Sequence, residues 1–300
     1  MIYHAKGGRM TVCPDKGHNV PETFLAEKAK FIRLETLRLT RIAGAGHYSS
    51  TFSAAELLAA LFYAHLRKDP LNPGWPDRDR FVLSKGHAAI GLYPVLADLG
   101  YFDKSLLDSF TRFGSAFGDH PDMKKIPGID FSSGSLGHGL SVALGMALAA
   151  RLQKREYRVY CMLGDGELNE GQIWEAAMAA GHYQLQGLVG IVDRNQLSID
   201  GLTEKVMSVE PVEDRFRSFG WDVRRIDGHD LTSILDTFAS LKPAGNGKPQ
   251  MIIADTIKGR GVKYMELSLD WHVGNLVGQD YDDAWKEIEA GLKPLLGESV

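Results

Sequence analysis

Two short apolar runs, each ending in polar residues, stand out in the middle of the chain. Residues 157–163 (YRVYCML) lead into a Gly-Asp-Gly turn centred on Asp165, and residues 188–192 (LVGIV) stop shortly before Asn195. Apolar and β-branched runs of this length, bounded by turn residues, predict buried strands. Between them, residues 172–182 are rich in Ala, Glu and Met and predict a helix. The pattern therefore predicts a βαβ unit with polar side chains at both strand ends.

Three other stretches have the periodicity of helices. Residues 24–42 alternate apolar and charged positions and predict a long amphipathic helix. Residues 53–56 (SAAE) have capping-box spacing and predict the start of a core helix, which we assign to packing alone. Residues 140–150 are nearly all apolar or small, so they predict either a helix that covers the sheet or a helix at an interface. The pattern leaves that choice open.

The polar residues at the two strand ends form a candidate metal site. In open α/β sheets ligands bind outside the carboxyl ends of the strands, so Asp165 and Asn195 can converge on one ion despite their separation along the chain. One carboxylate and one amide oxygen suit Mg²⁺ or Ca²⁺ rather than zinc. Each residue alone is as typical of a turn or a cap. Their combination on consecutive strands favours a metal, and the flanking Gly164 and Gly166 favour a diphosphate-bearing cofactor.

Composition narrows the class of protein. The chain is 44% hydrophobic and 24% charged, with a net charge of −4 and no basic stripe, so nucleic-acid binding is not expected. No apolar run is long enough to span a bilayer, and we expect a cytoplasmic location. Two cysteines, Cys13 and Cys161, imply neither a disulfide framework nor a cysteine metal site. We predict an N-terminal extension over residues 1–20 and one domain over residues 21–300, because no linker or repeat divides the chain.

At this point the sequence resembles the transketolase family. The spacing from the Gly-Asp-Gly turn to Asn195 matches the thiamine diphosphate motif of that family. Other segments agree with it in the same order: residues 45–47 (AGH), 79–88 (DRFVLSKGHA), 118–121 (GDHP), 133–140 (SGSLGHGL), and 257–261 (IKGRG) leading to 271–272 (WH). The resemblance covers roughly residues 20–290 and concerns only the amino-terminal, diphosphate-binding half of a transketolase.

The resemblance implies a fold and a set of site residues. The fold is an α/β three-layer sandwich with a central parallel sheet, the thiamine diphosphate-binding fold. Mg²⁺, with Ca²⁺ or Mn²⁺ as substitutes, would be held by Asp165, Asn195 and the backbone carbonyl of Leu197. The implied cofactor contacts are His87, Gly134, Ser135, Leu136, Gly166, Asn195, His272 and Glu170, the last of them in a carboxylate network between paired active sites. The sugar donor would be contacted by His47, His120 and His272.

The resemblance also implies a reaction and a partner. Transketolases move a two-carbon ketol unit from a ketose (phosphate) donor to an aldose acceptor, and thiamine diphosphate supplies the electron sink for the acyl carbanion equivalent. The glutamate that activates the cofactor lies in a pyrimidine-binding domain, for which 300 residues leave no room. We therefore predict a split enzyme, in which a C-terminal transketolase subunit supplies that domain and the two chains form a heterotetramer.

Two positions depart from the family pattern. Arg194 precedes Asn195 where the family commonly has a second asparagine, so of these two residues only Asn195 is expected to be a metal ligand. His138 stands where many relatives have glutamine, and its contact stays open. Four other histidines have no motif context and are assigned to structural roles: His18, His65, His182 and His229. The substrate is not determined, since the sequence does not separate xylulose 5-phosphate from branched, deoxy or sulfonated ketoses.

Alternative functions come from three classes. A subunit of a deoxyxylulose phosphate synthase or of a 2-oxo acid dehydrogenase E1 component would share the metal motif but lack the full set of four histidines. A nicotinamide dehydrogenase requires G-x-G-x-x-G, and residues 134–139 (GSLGHG) have the glycines in the wrong order. A non-catalytic regulatory subunit stays possible because fold does not dictate function, although the intact Asp165 and Asn195 argue against it.

Overall fold

Alternating strands and helices along the chain build one five-stranded parallel sheet. The structure is a computed structural model that describes residues 20–291, so Cys13, His18 and nearly all of the predicted N-terminal extension lie outside the described part. The strands are β1 (Arg80–Leu83), β2 (Val159–Gly164), β3 (Leu188–Arg194), β4 (Asp222–Asp227) and β5 (Gln250–Asp255). The helices are α1 (Glu22–Ala43), α2 (Tyr48–Ser53), α3 (Ala55–Ala60), α4 (Ala89–Leu99), α5 (His138–Leu152), α6 (Gly171–His182), α7 (Thr203–Val206), α8 (Val212–Ser218), α9 (Leu231–Ala239) and α10 (Gly278–Ala290).

The order of the strands places their carboxyl ends in one crevice. The order is β1-β2-β3-β5-β4 and every pairing is parallel. In the register, Cys161 of β2 lies between Val82 of β1 and Gly190 of β3. Between β3 and β5 the chain crosses over to the outer strand β4, and ligands in open α/β sheets bind outside the carboxyl ends of the strands. The predicted βαβ unit of β2, α6 and β3 is confirmed and lies beside this point.

Helices cover both faces of the sheet because successive strand side chains point in opposite directions. On one face α1, α3, α4 and α9 pack against residues that include Tyr160, Met162, Val189, Ile191 and Ile252. On the other face α5, α6 and α8 pack against residues that include Cys161, Leu163, Leu188, Val192 and Ile253. The predicted three-layer α/β sandwich is therefore confirmed.

Helix α5 covers the sheet. It buries Leu140, Ala143, Ala147 and Ala150, while Gly145 on its outer side is exposed. The first of the two alternatives for residues 140–150 is thereby confirmed. A role of its outer side at an interface stays a prediction.

The expected capping box before α3 is wrong. Ala54 occupies the N-cap position and makes no side-chain cap bond. Ser53 is instead the last residue of α2, and its hydroxyl donates to Asp193 Oδ2 at 2.6 Å. Glu56 pairs with Arg33 of α1 at 2.6 Å, so this helix contributes an ion pair as well as apolar packing. The side chains of Ser53 and Glu56 therefore bond to residues distant in the sequence, which local spacing does not reveal.

A smaller third core holds the segment between β5 and α10. It joins Leu37, Tyr48 and Phe52 of the first two helices to Val262, Met265 and Leu276 of the segment and to Tyr281, Ala284 and Ile288 of α10. The segment therefore lies against α1 and α2 at the carboxyl end of the sheet. Within residues 20–291, no helix has the length and apolar character needed to cross a membrane.

Candidate active site

Four histidines from distant parts of the chain meet at the carboxyl end of the sheet. His47 precedes α2, His87 follows β1, His120 lies in the loop before α5, and His272 lies in the segment after β5. The ring of His47 is central, with centroid distances of 5.3 Å to His87, 5.6 Å to His272 and 6.4 Å to His120. The structure thus brings together all four histidines that the sequence singled out.

Two of these imidazoles are neutral at pH 7. Burial and the neighbouring Lys85 ammonium hold the pKa of His87 well below its ordinary value. Burial and Lys258 lower the pKa of His272 to about 4. A neutral imidazole has one donor and one acceptor nitrogen, so each ring can both donate and accept a hydrogen bond.

A carboxylate that the sequence reasoning did not single out lies among the histidines. Asp119 Oδ2 is 3.0 Å from His47 Nδ1 and 3.7 Å from His120 Nδ1. The two groups are not aligned for a hydrogen bond, but the negative charge of the carboxylate favours a proton on Nδ1 of His47 and a lone pair on Nε2. The signal in the sequence was its place beside His120 in the Gly-Asp-His-Pro segment.

The carboxylate of Asp165 is held by backbone and side-chain donors. Its Oδ1 accepts from Gly166 N at 2.8 Å, and its Oδ2 accepts from Gln196 N at 2.5 Å and from Arg194 Nη1 at 3.0 Å. A carboxylate oxygen has two lone pairs, so Oδ2 is fully engaged and Oδ1 has one left for a metal. Burial and the neighbouring Asp193 raise the pKa of Asp165 to about 6. A divalent cation at Oδ1 would offset that penalty.

The other two predicted ligands lie beside Asp165. Asn195 Nδ2 donates to Asp193 Oδ2 at 3.3 Å, which leaves the amide oxygen to accept from Leu197 N at 3.2 Å and to face a cation. The Leu197 carbonyl oxygen accepts from Lys258 Nζ at 3.3 Å, and its second lone pair is left for a metal ion. Among residues 20–291 no group of three His, Cys, Asp or Glu side chains could hold a metal ion. The all-oxygen set of one carboxylate, one amide and one carbonyl nevertheless fits Mg²⁺.

A buried ion pair lies beside the predicted metal ligands. Asp193 is fully buried and accepts from Lys85, from Ser53 and from Thr256. Burial opposes ionisation of this carboxyl, but Lys85 and the hydroxyl donors hold its pKa below the ordinary value. Asp193 therefore stays charged and orients the Asn195 amide.

The glycine-rich loop is tied to the Gly-Asp-Gly turn by one carboxylate. Glu167 accepts from Ser84, from Gly137 N at 2.8 Å and from Gly164 N at 3.0 Å, and burial raises its pKa. Gly137 has φ of +87°, a conformation that favours glycine. The loop therefore runs directly over the end of β2.

The cofactor-contact residues predicted in this loop occupy its outer part. Gly134 and Ser135 are exposed and Leu136 is half-buried. A Cβ on Gly134 would lie 3.9 Å from the His120 ring, so the loop adjoins the histidine cluster. Glu170 is exposed, and its Cβ is 2.7 Å from the place that a Cβ on Gly137 would occupy. Its part in a network between active sites stays a prediction.

The remaining histidines lie outside the four-histidine cluster. His65 is half-buried and lies 2.8 Å from the Tyr160 hydroxyl, and His182 is exposed beside Tyr183. His229 is buried between two partners. His138 is exposed, with Nδ1 3.3 Å from the Leu136 carbonyl oxygen, and its role stays open.

Two buried lysines are the main site residues that sequence reasoning missed. Lys85 pairs with Asp193, and Lys258 Nζ lies 2.5 Å from His272 Nδ1 as well as against the Leu197 carbonyl. Burial and Lys85 lower the pKa of Lys258 to about 8. Each lysine follows within three residues of a strand end on the same edge as Asp165, and that shared position was the available signal.

Comparisons with known proteins agree with this geometry. The family model described as transketolase, thiamine diphosphate binding domain, matches residues 25–294. The chain is 44% identical to a 6-deoxy-6-sulfo-D-fructose transketolase subunit of Clostridium sp. and covers 96% of it. It is 43% identical to an apulose-4-phosphate transketolase subunit of Phocaeicola vulgatus and covers 91% of it. These alignments cover 90% and 86% of this chain.

A solved structure shows the same fold within a longer protein. The chain superposes on the transketolase of Campylobacter jejuni with a TM-score of 0.83 and 32% identity, over 89% of this chain. It spans only 43% of that longer chain. The matches favour the predicted transketolase assignment over the other thiamine enzymes that share the metal motif. The chain belongs to the transketolase family and comprises its thiamine diphosphate-binding domain.

Proposed function

We propose that this chain is the amino-terminal subunit of a two-subunit transketolase that depends on thiamine diphosphate and Mg²⁺. It would transfer a two-carbon ketol unit from a ketose donor to an aldose acceptor. The observation that carries the proposal is the meeting of four histidines with an all-oxygen donor set at one edge of the sheet. The histidines suit a polyhydroxylated substrate, and the oxygen donors suit a metal diphosphate.

A second subunit is part of this proposal. The chain spans nearly all of the relatives named as subunits but less than half of the longer transketolase structure. The partner would bring the pyrimidine-binding domain with the activating glutamate, and two copies of each chain would form a heterotetramer. A cytoplasmic location stays a prediction.

Exposed apolar side chains beside the site support a partner there. One group follows β3 on the segment that contains the Leu197 carbonyl: Ile199, Leu202, Val206 and Met207. The other group surrounds His272: Leu267, Leu269, Val273 and Val277. Several exposed apolar side chains along segments that carry site residues are typical of protein interfaces. We place the partner subunit over these two segments.

Different residues of this chain would hold the metal ion and the diphosphate. Asp165 Oδ1, Asn195 Oδ1 and the Leu197 carbonyl oxygen would hold Mg²⁺. His87 and His272 would approach the diphosphate. The remaining predicted contacts would lie along the rest of the cofactor: Gly134, Ser135, Leu136 and Gly166. When bound, thiamine diphosphate supplies the electron sink for carbon–carbon cleavage.

The tautomers of two histidines provide complementary groups for the sugar. An ammonium only donates, so Lys258 Nζ requires a lone pair on His272 Nδ1 and places the His272 proton on Nε2. Asp119 favours the opposite arrangement in His47, whose Nε2 lone pair can accept from a hydroxyl. His272 would donate to the donor's carbonyl oxygen, and His47 and His120 would exchange protons with its hydroxyls. The identity of the sugar depends on groups that the partner subunit would add.

The test is copurification followed by an activity assay. The tagged full chain would be isolated from its own cells, its partner identified by mass, and ketol transfer measured with ketose phosphates and sulfonated ketoses. We expect activity in the complex, negligible activity in the isolated chain, and a mass that corresponds to a heterotetramer. Asp165→Ala should keep the partner and lose the activity. Full turnover by the isolated chain would refute the need for a second subunit. A complex that neither binds added thiamine diphosphate nor shows ketol transfer in its presence would refute the enzyme assignment.

A further inference from the structure

A buried network outside the histidine cluster connects three elements. Arg33 of α1 forms a bidentate pair with Glu56 of α3, with distances of 2.6 Å and 2.8 Å. His229, in the turn after β4, places Nδ1 3.0 Å from Glu56 Oε2. Glu56 is buried, yet Arg33 and His229 outweigh that burial and lower its pKa to about 2. The carboxylate is therefore ionised at neutral pH.

The partners of His229 determine its tautomer. The backbone N–H of Ile257 donates to His229 Nε2 at 2.8 Å, and an amide N–H has no lone pair to accept with. Nε2 must therefore be unprotonated. Because the ionised Glu56 only accepts, Nδ1 carries the proton. His229 thus has one defined tautomer and one orientation, a device that proteins also use to orient metal-binding histidines.

The network ends on the loop that carries Lys258. His229 holds this loop at Ile257 N, and Arg33 Nε donates to the Arg260 carbonyl oxygen at 2.9 Å on the other side. A Cβ on Gly228 would overlap with Thr256, so the turn of His229 also packs tightly on the start of the loop. Lys258, between these attachment points, is 1% exposed and points inward to the Leu197 carbonyl and His272.

The network contains more buried charges and hydrogen bonds than packing alone would require. A buried ion pair adds little net stability compared with apolar residues of similar volume, but it does impose one geometry on its partners. Here the donors and acceptors of three side chains are used to fix one loop, and the single side chain between the fixed points is a buried cation beside a proposed metal ligand.

We propose that His229, held by Glu56 and Arg33, is a positioning residue that sets Lys258 against the diphosphate end of the cofactor site. This inference rests on the proposed function, because it assumes that thiamine diphosphate binds in the crevice. His229 acts through the loop and does not touch the cofactor. Its loss should weaken cofactor binding through Lys258.

The test compares cofactor affinity in matched variants of the full chain, isolated with its partner. The probe is thiamine diphosphate with saturating Mg²⁺, titrated by calorimetry well below the measured melting temperatures. Mutation of an outer-shell partner of a metal site typically weakens metal affinity or activity by about 10–100-fold. By analogy we expect His229→Leu to weaken thiamine diphosphate binding by at least about tenfold. His229→Gln restores an acceptor near Ile257 N and should recover most of the affinity. His65→Leu removes a half-buried histidine far from the loop of Lys258 in the sequence and should leave the affinity within about twofold.

A double variant separates positioning from general damage. If His229 acts through Lys258, adding His229→Leu to Lys258→Met should weaken binding no further than Lys258→Met alone. Wild-type affinity in His229→Leu, or an equal loss in His65→Leu, would overturn the inference. Full additivity of the two changes would overturn it as well. If the wild-type complex bound no thiamine diphosphate, the proposed function would fail and the inference would fall with it.

Discussion

The ion pair between Arg33 and Glu56 gives a stability prediction that the structure makes quantitative. In Glu56→Gln the Arg33 guanidinium would stay 1% exposed without its charged partner. Removing one member of a buried pair typically costs about 3–5 kcal/mol. A fall of the Glu56 pKa from 4.5 to about 2 corresponds independently to about 3 kcal/mol at neutral pH. We therefore expect the free energy of unfolding to fall by about 3 kcal/mol.

The sign of the pH dependence sets the conditions for the measurement. The pKa of Glu56 is lower in the folded chain than in the unfolded one, so its contribution is fully present above pH 4.5 and is lost as the pH falls towards 2. Urea denaturation at pH 7, followed by tryptophan fluorescence, captures the whole contribution. With a denaturant slope of about 3 kcal/mol per M, the midpoint should fall by about 1 M.

The matched control lies on the exposed side of α1. Glu27→Gln makes the same chemical change at an exposed position and should alter stability by less than about 0.5 kcal/mol. A loss of less than about 1 kcal/mol in Glu56→Gln, or an equal loss in both variants, would contradict the assignment of Glu56 as the charged partner of a buried guanidinium.

Three further predictions concern the proposed metal ligands, the glycine-rich loop and the half-buried His65. Asp165→Ala should abolish Mg²⁺-dependent binding of thiamine diphosphate with an unchanged circular dichroism spectrum, and unchanged affinity by calorimetry would refute the metal assignment. Gly137→Ala should destabilise the chain by at least about 1 kcal/mol, because φ is +87° and the new Cβ would lie 2.7 Å from that of Glu170; an unchanged melting temperature would contradict this. Burial lowers the pKa of His65 from 6.5 to about 4 in the folded chain. Between these pH values the unfolded chain binds a proton at His65 that the folded chain does not, so the free energy of unfolding falls as the pH drops from 6.5 to 4. His65→Phe should make that part of the stability profile flatter, and an unchanged slope in urea titrations would show that other groups cause it.

The sequence by itself determined the α/β class, through one βαβ unit and the family resemblance, and the edge of the sheet where the site lies. Strands β2 and β3 follow from apolar runs that end in polar turns, and a parallel sheet places all such ends at one edge. Asp165 and Asn195 could therefore be assigned to one crevice without coordinates. The helical periods of α1, α5 and α6 were equally readable, because each pattern depends only on neighbouring residues.

Only the tertiary structure decided which side chains pair across that architecture. Ser53 donates to a carboxylate 140 positions away and His229 meets one 173 positions away, although both were assigned simpler roles from their local sequence. Lys258 was equally hidden within a glycine-containing loop. Hydrogen bonds and ion pairs depend on distances between elements and on the burial that packing creates, and no local periodicity specifies either. The site's location thus follows from the ends of parallel strands, which the sequence marks, whereas its electrostatics follow from packing.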